Sequence, residues 1–145
     1  MRDESARTKG RQISIVRAST EGEIYAAFAS LAQLRAGALM VSADGFLNSR
    51  RAQFVALEAR YVVPASHEWR ESVELGGLNS HGASLTGLYR QTGLYVARIL
   101  AGAKPADLPI QQPARFELVI NLKTAKALGL AIPPAFLGRA DEVMV

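Results

Sequence analysis

Apolar residues along this chain follow two spacings in turn, every second position and every third or fourth, and the alternation predicts strand and helix in succession. Gln12 to Arg17 (QISIVR) is short, rich in β-branched residues and preceded by Gly10, which predicts a strand. Thr20 and Glu23 stand at capping-box spacing, where a hydroxyl and a carboxylate each satisfy an orphan backbone N–H, so a helix is expected to begin there. Ile24, Phe28 and Leu31, with Ala27 and Leu34 beside them, make one apolar stripe that must face a sheet, and Gly37 ends it. Ala38 to Ser42 (ALMVS) is too short for a helix and predicts a parallel strand covered on both faces. Asp44 and Gly45 turn the chain into a second helix, Asn48 to Tyr61, carrying Phe54, Leu57 and Tyr61 on one side. Val62 to Ala65 predicts the next strand, which Pro64 restricts to a short or edge piece. Strand, helix, strand, helix, strand in this order predicts an α/β fold with a parallel sheet.

Beyond this point the pattern loosens. Trp69 to Leu75 predicts a helical turn ended by Gly76 and Gly77, and Leu78 to His81 a brief extended piece. Ser84 is placed to cap a helix running to Leu100, with a broad apolar face that includes Leu88, Tyr95 and Ile99. Gly87 and Gly93 interrupt that helix, each at about 1 kcal/mol relative to Ala, so packing of the face has to compensate. Phe116 to Leu122 predicts a strand and Thr124 to Leu128 a short helix stopped by Gly129. Pro133 and Pro134 suit the start of a last helical turn, to about Ala140.

Composition narrows the function classes. At 145 residues and 49% apolar content the chain is long enough for one ordinary core, and no apolar run approaches the ~18 residues of a membrane span. The net charge of +4 is spread among acidic neighbours, with Arg50 and Arg51 as the only adjacent basic pair, so no stripe for tracking nucleic-acid phosphates is expected. Cysteine is absent, which removes disulfides and thiolate metal sites. No G-x-G-x-x-G follows a strand, no G-x-x-x-x-G-K-[ST] exists, and the two histidines lack H-x-x-x-H spacing. The residues therefore imply no cofactor, metal or nucleotide. A hydrolase assembled from Ser42, Asp44 and His67 or His81 lacks the G-x-S-x-G elbow that exposes a nucleophile, so no catalytic role is expected.

In an open parallel sheet, ligands bind beyond the carboxyl ends of the strands, which directs attention to Ser42 to Phe46, Ser66 to Trp69 and Ser80 to Ser84. There, Ser42, Asp44, His67, Trp69, Ser80 and His81 are candidates for binding an amino-acid-like ligand. Asp44 would meet an ammonium, hydroxyls and backbone amides a carboxylate, and Trp69 would stack. The structural alternatives are a turn for Asp44, a backbone cap for Ser80 and a surface anchor for Trp69.

The stretch Val73 to Pro134, with VELGGLNSHG followed by LTGLYRQTGLYVARILAGAKPADLPIQQPARFELVINLKTAKALGLAIPP, resembles the carboxyl-terminal part of ABC-transporter substrate-binding proteins of the tryptophan/tyrosine-transport type. Trp69, Arg70, Glu71, Gly76, Gly77, Leu78, Ser80 and Gly82 match the family pattern, whereas His81 stands where Tyr is usual and Asn79 where an apolar residue is usual. The resemblance covers about Glu21 to the end. It implies a type I periplasmic-binding-protein-like fold, a parallel-sheet three-layer α/β lobe that is incomplete here, and a role in binding a small solute for a membrane ABC permease.

On that basis 1–11 is expected to be a polar flexible tail and 12–75 an α/β lobe. Residues 76–104 are expected to form a crossover strand and helix toward a missing lobe, and 105–145 a returning strand with short helices. Met1 to Arg11 holds no signal-peptide apolar run, so the family implies an extracytoplasmic protein whereas the chain as given would stay in the cytoplasm. A truncated form is expected. The alternatives are a remnant that binds nothing and self-associates, or pairs with a separate partner, through apolar surface at Ile110, Phe116 and Leu85 to Leu100, and a small hydrolase.

Overall fold

The computed structural model describes residues 10–113 and 115–145. In chain order the elements are α1 (Glu21–Leu31), β1 (Leu39–Met40), α2 (Gly45–Ser49), α3 (Arg51–Tyr61), β2 (Ala65–His67), α4 (Arg70–Glu74), β3 (Asn79–Ala83), α5 (Leu85–Leu100), a single 3-10 turn (Pro105–Asp107), β4 (Phe116–Asn121), α6 (Leu122–Ala127), α7 (Pro134–Leu137) and β5 (Glu142–Met144). The five strands form one mixed sheet in sequential order. β1, β2 and β3 are mutually parallel, β4 runs antiparallel to β3, and β5 is parallel to β4. The fold is therefore α/β with a mostly parallel sheet, and the carboxyl ends of β1, β2 and β3 share one edge.

The first helix forms as its sequence predicts. Thr20 Oγ1 accepts from the Glu23 backbone N–H at 3.2 Å, and Glu23 Oε2 accepts from the N–H of Ser19 at 2.6 Å, so the box closes one residue earlier than its ideal form. Ile24, Phe28 and Leu31 are buried and pack with Phe54 and Leu57 of α3 and with Val63, while Leu39 and Val41 cover the cluster from the β1 side. The stripe thus meets a helix as much as a sheet. Phe28 sits 5.8 Å from the rings of both Phe54 and Tyr61 in tilted arrangements, a geometry favoured by the ring quadrupoles.

Several boundaries differ from expectation, each for a physical reason. Gln12 to Arg17 forms no strand: it pairs with no neighbour among the described residues, and Ile13, Ile15 and Val16 are exposed. β1 is an edge strand of two residues with Met40 82% exposed, so it is not covered on both faces. The predicted helix at 48–61 is two helices that break at Arg50, and Asp44 caps the first of them rather than merely turning the chain. β2 begins three residues later than predicted because Val62 closes α3 in the left-handed conformation (φ 55°). Pro64, which lacks an N–H, precedes the ladder and contributes only its carbonyl, which accepts from Leu39 N–H at 2.8 Å. The extended piece at 78–81 is β3, which reaches Ala83, and the last helix stops at Leu137.

β5 was not anticipated, because three residues at the chain end carry too little alternation to read. It is secured by side chains. Asp141 accepts from Leu118 N–H at 2.9 Å and from Arg115 at 2.8 Å, and these two hydrogen bonds, the backbone one first, hold its carboxyl below the usual carboxylate range. Arg70 on α4 donates to Glu74 and reaches Glu142 of β5 at 2.8 Å. Those two hydrogen bonds, with Glu74 the larger influence, raise its guanidinium pKa further above the ordinary range. α5 forms as predicted, with Ser84 Oγ accepting from Gly87 N–H at 3.3 Å, yet none of its residues is buried.

Among the glycines described, the one with least room for a side chain lies where the loop after β2 meets strand β3. A Cβ built on Gly82 would sit 2.2 Å from the Glu68 carbonyl oxygen and 2.7 Å from Glu68 Cγ. A backbone atom cannot swing aside as a side-chain tip can, so any larger residue must move the loop or the strand. Gly82→Ala is expected to destabilise the fold by roughly 3 kcal/mol, whereas Gly93→Ala, where a Cβ meets open space, leaves stability unchanged or raised; urea unfolding of both variants checks this.

Candidate functional site

The shared carboxyl edge of β1, β2 and β3 carries the candidate site. A shallow open cavity of about 10 Å3 is lined by Val41 and Ser42 after β1, by Leu47 and Asn48 of α2, and by Arg51 and Phe54 of α3. His67, Glu68 and Trp69 at the end of β2 and Ser72 of α4 complete its wall. The architecture causes the convergence: parallel strands deliver successive loops to one edge, and the helices that follow start there.

Of the six residues singled out from sequence, Ser42, His67 and Trp69 line this cavity, and Asp44, Ser80 and His81 do not. Asp44 Oδ1 accepts from the N–H groups of Phe46 (2.9 Å) and Leu47 (3.0 Å), so its carboxylate is committed to capping α2. Ser80 and His81 are consecutive on β3 and point to opposite faces of the sheet. Ser80 is buried, whereas the exposed His81 ring stacks on Phe116 with 6.0 Å between centroids. Two adjacent strand residues cannot reach one site on one face. The hydrolase assembly fails on the same geometry, since Asp44 caps a helix and His67 faces a different carboxylate.

That carboxylate is Glu58 of α3. His67 Nε2 lies 2.9 Å from Glu58 Oε1 with both side chains buried, close enough for an ion pair though off the line of a hydrogen bond. The pair ties α3 to β2 directly beneath the cavity and orients the wall on which Trp69 follows. Trp69 is half-buried and occupies the N-cap position of α4, with its carbonyl accepting from Ser72 N–H at 3.2 Å. Glu68 has a buried Oε2 without a hydrogen-bond partner, and burial raises its carboxyl pKa. Among the described residues no three His, Asp or Glu side chains gather as they would around a metal ion.

Sequence reasoning passed over Arg51, Asn48, Phe54, Glu68 and Ser72. The available signal was positional: α2 and α3 follow the β1 loop, so their first turns had to lie at the same edge as the loops themselves. Arg50 and Arg51 were noted only as a charged pair, yet they part company here. Arg50 turns outward to Glu21 at 2.8 Å, and Arg51 turns toward the cavity.

The family model for ABC transporter substrate binding proteins matches residues 4–144. The chain belongs to that family. Among solved structures, a conserved domain protein from Vibrio cholerae O1 biovar El Tor superposes with TM-score 0.86 at 27% identity, over 97% of this chain and 47% of that one. An ABC domain in complex with L-Trp from Streptococcus pneumoniae superposes with TM-score 0.85 at 27% identity, over 98% of this chain and 49% of that one. A ligand-free, open substrate-binding protein with adhesive properties from Clostridium difficile, at 22% identity and TM-score 0.63, shares the fold. No functionally curated protein matches the chain. The chain spans about half the length of these solved structures, as the resemblance to one part of the family implied. The ABC transporter substrate-binding family is a binding family rather than a catalytic one and is normally extracytoplasmic. Among the described residues no helix is long and apolar enough to cross a membrane.

In this family member the buried Glu58–His67 couple is expected to act as one unit. Removing either partner strands the other in the interior, at about 3 kcal/mol or more. Glu58→Ala and His67→Ala should each lower stability by that order, and the double variant should cost clearly less than the sum; a denaturation cycle on the four proteins measures the coupling.

Proposed function

We propose that this chain supplies one wall of a solute-binding cleft, and that with a second lobe it holds an amino acid or related small molecule for delivery to a membrane ABC permease. The observation that carries this reading is the cavity at the shared strand edge, where Trp69 offers aromatic surface and Ser42, Asn48 and Arg51 offer hydrogen-bonding groups. The family and the Streptococcus pneumoniae neighbour with L-Trp support the ligand class. Of the six residues named from sequence, Ser42, His67 and Trp69 line this cavity, which supports a contact role for Ser42 and Trp69. The working location is extracytoplasmic, where such a solute is captured. Two-lobed capture requires the ligand to prefer the closed arrangement, so one wall alone binds weakly.

A second reading rests on a separate observation. α5 has no buried residue, and Tyr89, Leu94, Val96 and Leu100 are exposed along it, as is Ile110 at 97%. An apolar face of this kind favours association, with a further copy or a separate partner. Titration of the chain with the twenty common L-amino acids at millimolar concentration, followed by amide and indole NMR shifts, tests the first reading. Saturable shifts at Ser42 and Trp69, weakened by Trp69→Ala, are expected. No shift with any amino acid, together with sedimentation showing oligomers, would favour the second.

A further inference from the structure

Arg51 is the cavity residue whose bonding is least accounted for. Its guanidinium is half-buried, and its Nη1 donates only to Asn48, at 3.2 Å to Oδ1 and 3.4 Å to the carbonyl oxygen, both at or beyond the long end of the normal range. A guanidinium has five N–H donors in a planar fork, so most of its capacity is unused. The ion pairs among the described residues engage Arg50, His67, Arg70 and Arg115, and none engages Arg51. The acid that shares the cavity does not pair with it: the Glu68 side chain lies over Gly82, and no ion pair among the described residues joins Glu68 to Arg51. Asp44, the remaining nearby acid, is held on the α2 backbone.

A partly desolvated cation facing a cavity, with Trp69 and Leu47 on the same wall, suits a planar anion carried on an apolar body. We propose that Arg51 receives the carboxylate of the solute in a two-pronged contact, so that binding requires a free carboxylate. The proposal rests on the cleft reading above and deepens it by naming the anchoring group. It also reverses the polarity expected from sequence, in which Asp44 met an ammonium and hydroxyls met the carboxylate. A charge-assisted pair of this type is worth about tenfold or more in affinity.

The test uses the full chain and pairs of probes that differ only at the carboxylate: L-leucine, L-phenylalanine and L-tryptophan against their primary amides. The readouts are the Nε–H resonance of Arg51 and the indole resonance of Trp69, the single tryptophan. At least one acid should shift both resonances saturably, with its amide at least about tenfold weaker. Arg51→Gln should remove that preference while the weak amide shifts persist, and the comparison of acid with amide on the unmodified chain stands even if the variant fails to fold. Equal affinity for acid and amide would overturn the role of Arg51 and leave the cleft reading intact. Silence from all six compounds would overturn both.

Discussion

Glu68 and Trp69 can lie against the central strand only because position 82 carries no side chain. The loop that follows β2 brings its backbone so close to β3 that even a methyl group at Gly82 would collide with the Glu68 carbonyl. Gly77 permits a second close approach, where a Cβ would stand 2.8 Å from the carbonyl oxygen of Ser72 in the middle of α4. The chain before α4 thus lies tight against β3, and the chain after it folds back tightly onto α4. Trp69 is thereby held at the cavity wall by backbone packing and not by a hydrogen bond from its own side chain.

Charge completes what packing begins. Arg70, next to Trp69, spans from α4 to Glu142 on β5, so the residue beside the aromatic wall is tied to the far edge of the sheet. Glu58 and His67 join α3 to β2 beneath the cavity. The first pair links elements distant in sequence and joins the cavity wall to the β5 edge, and the second locks two consecutive elements together. Arg51 stands apart from this pattern, as a cation at the cavity whose partners come only from its own neighbourhood.

Much of this was legible in the residues. The stripe of Ile24, Phe28 and Leu31, the Ser84 cap and the Gly76–Gly77 stop each name their own local structure, because a cap, a stripe or a glycine turn is decided within a few residues. Failures came where the outcome depends on distant partners. QISIVR has strand chemistry, but without a neighbouring edge among the described residues it forms no ladder. β5 exists because Asp141 and Glu142 find Arg115 and Arg70, pairings that no local pattern announces. The site followed the same division. Strand order brought the loops after β1 and β2 to one edge, yet the direction of Ser80 against His81 and the fate of Asp44 were settled by register and by a helix start.

The central claim is that solute contacts fall on the carboxyl edge of β1, β2 and β3, and intermolecular NOEs between L-phenylalanine and the isotope-labelled chain test it most directly. Contacts from the aromatic ring to Trp69 and Leu47 are expected. Contacts instead to Tyr89, Leu94 or Val96 on α5, with none at the cavity, would contradict the account.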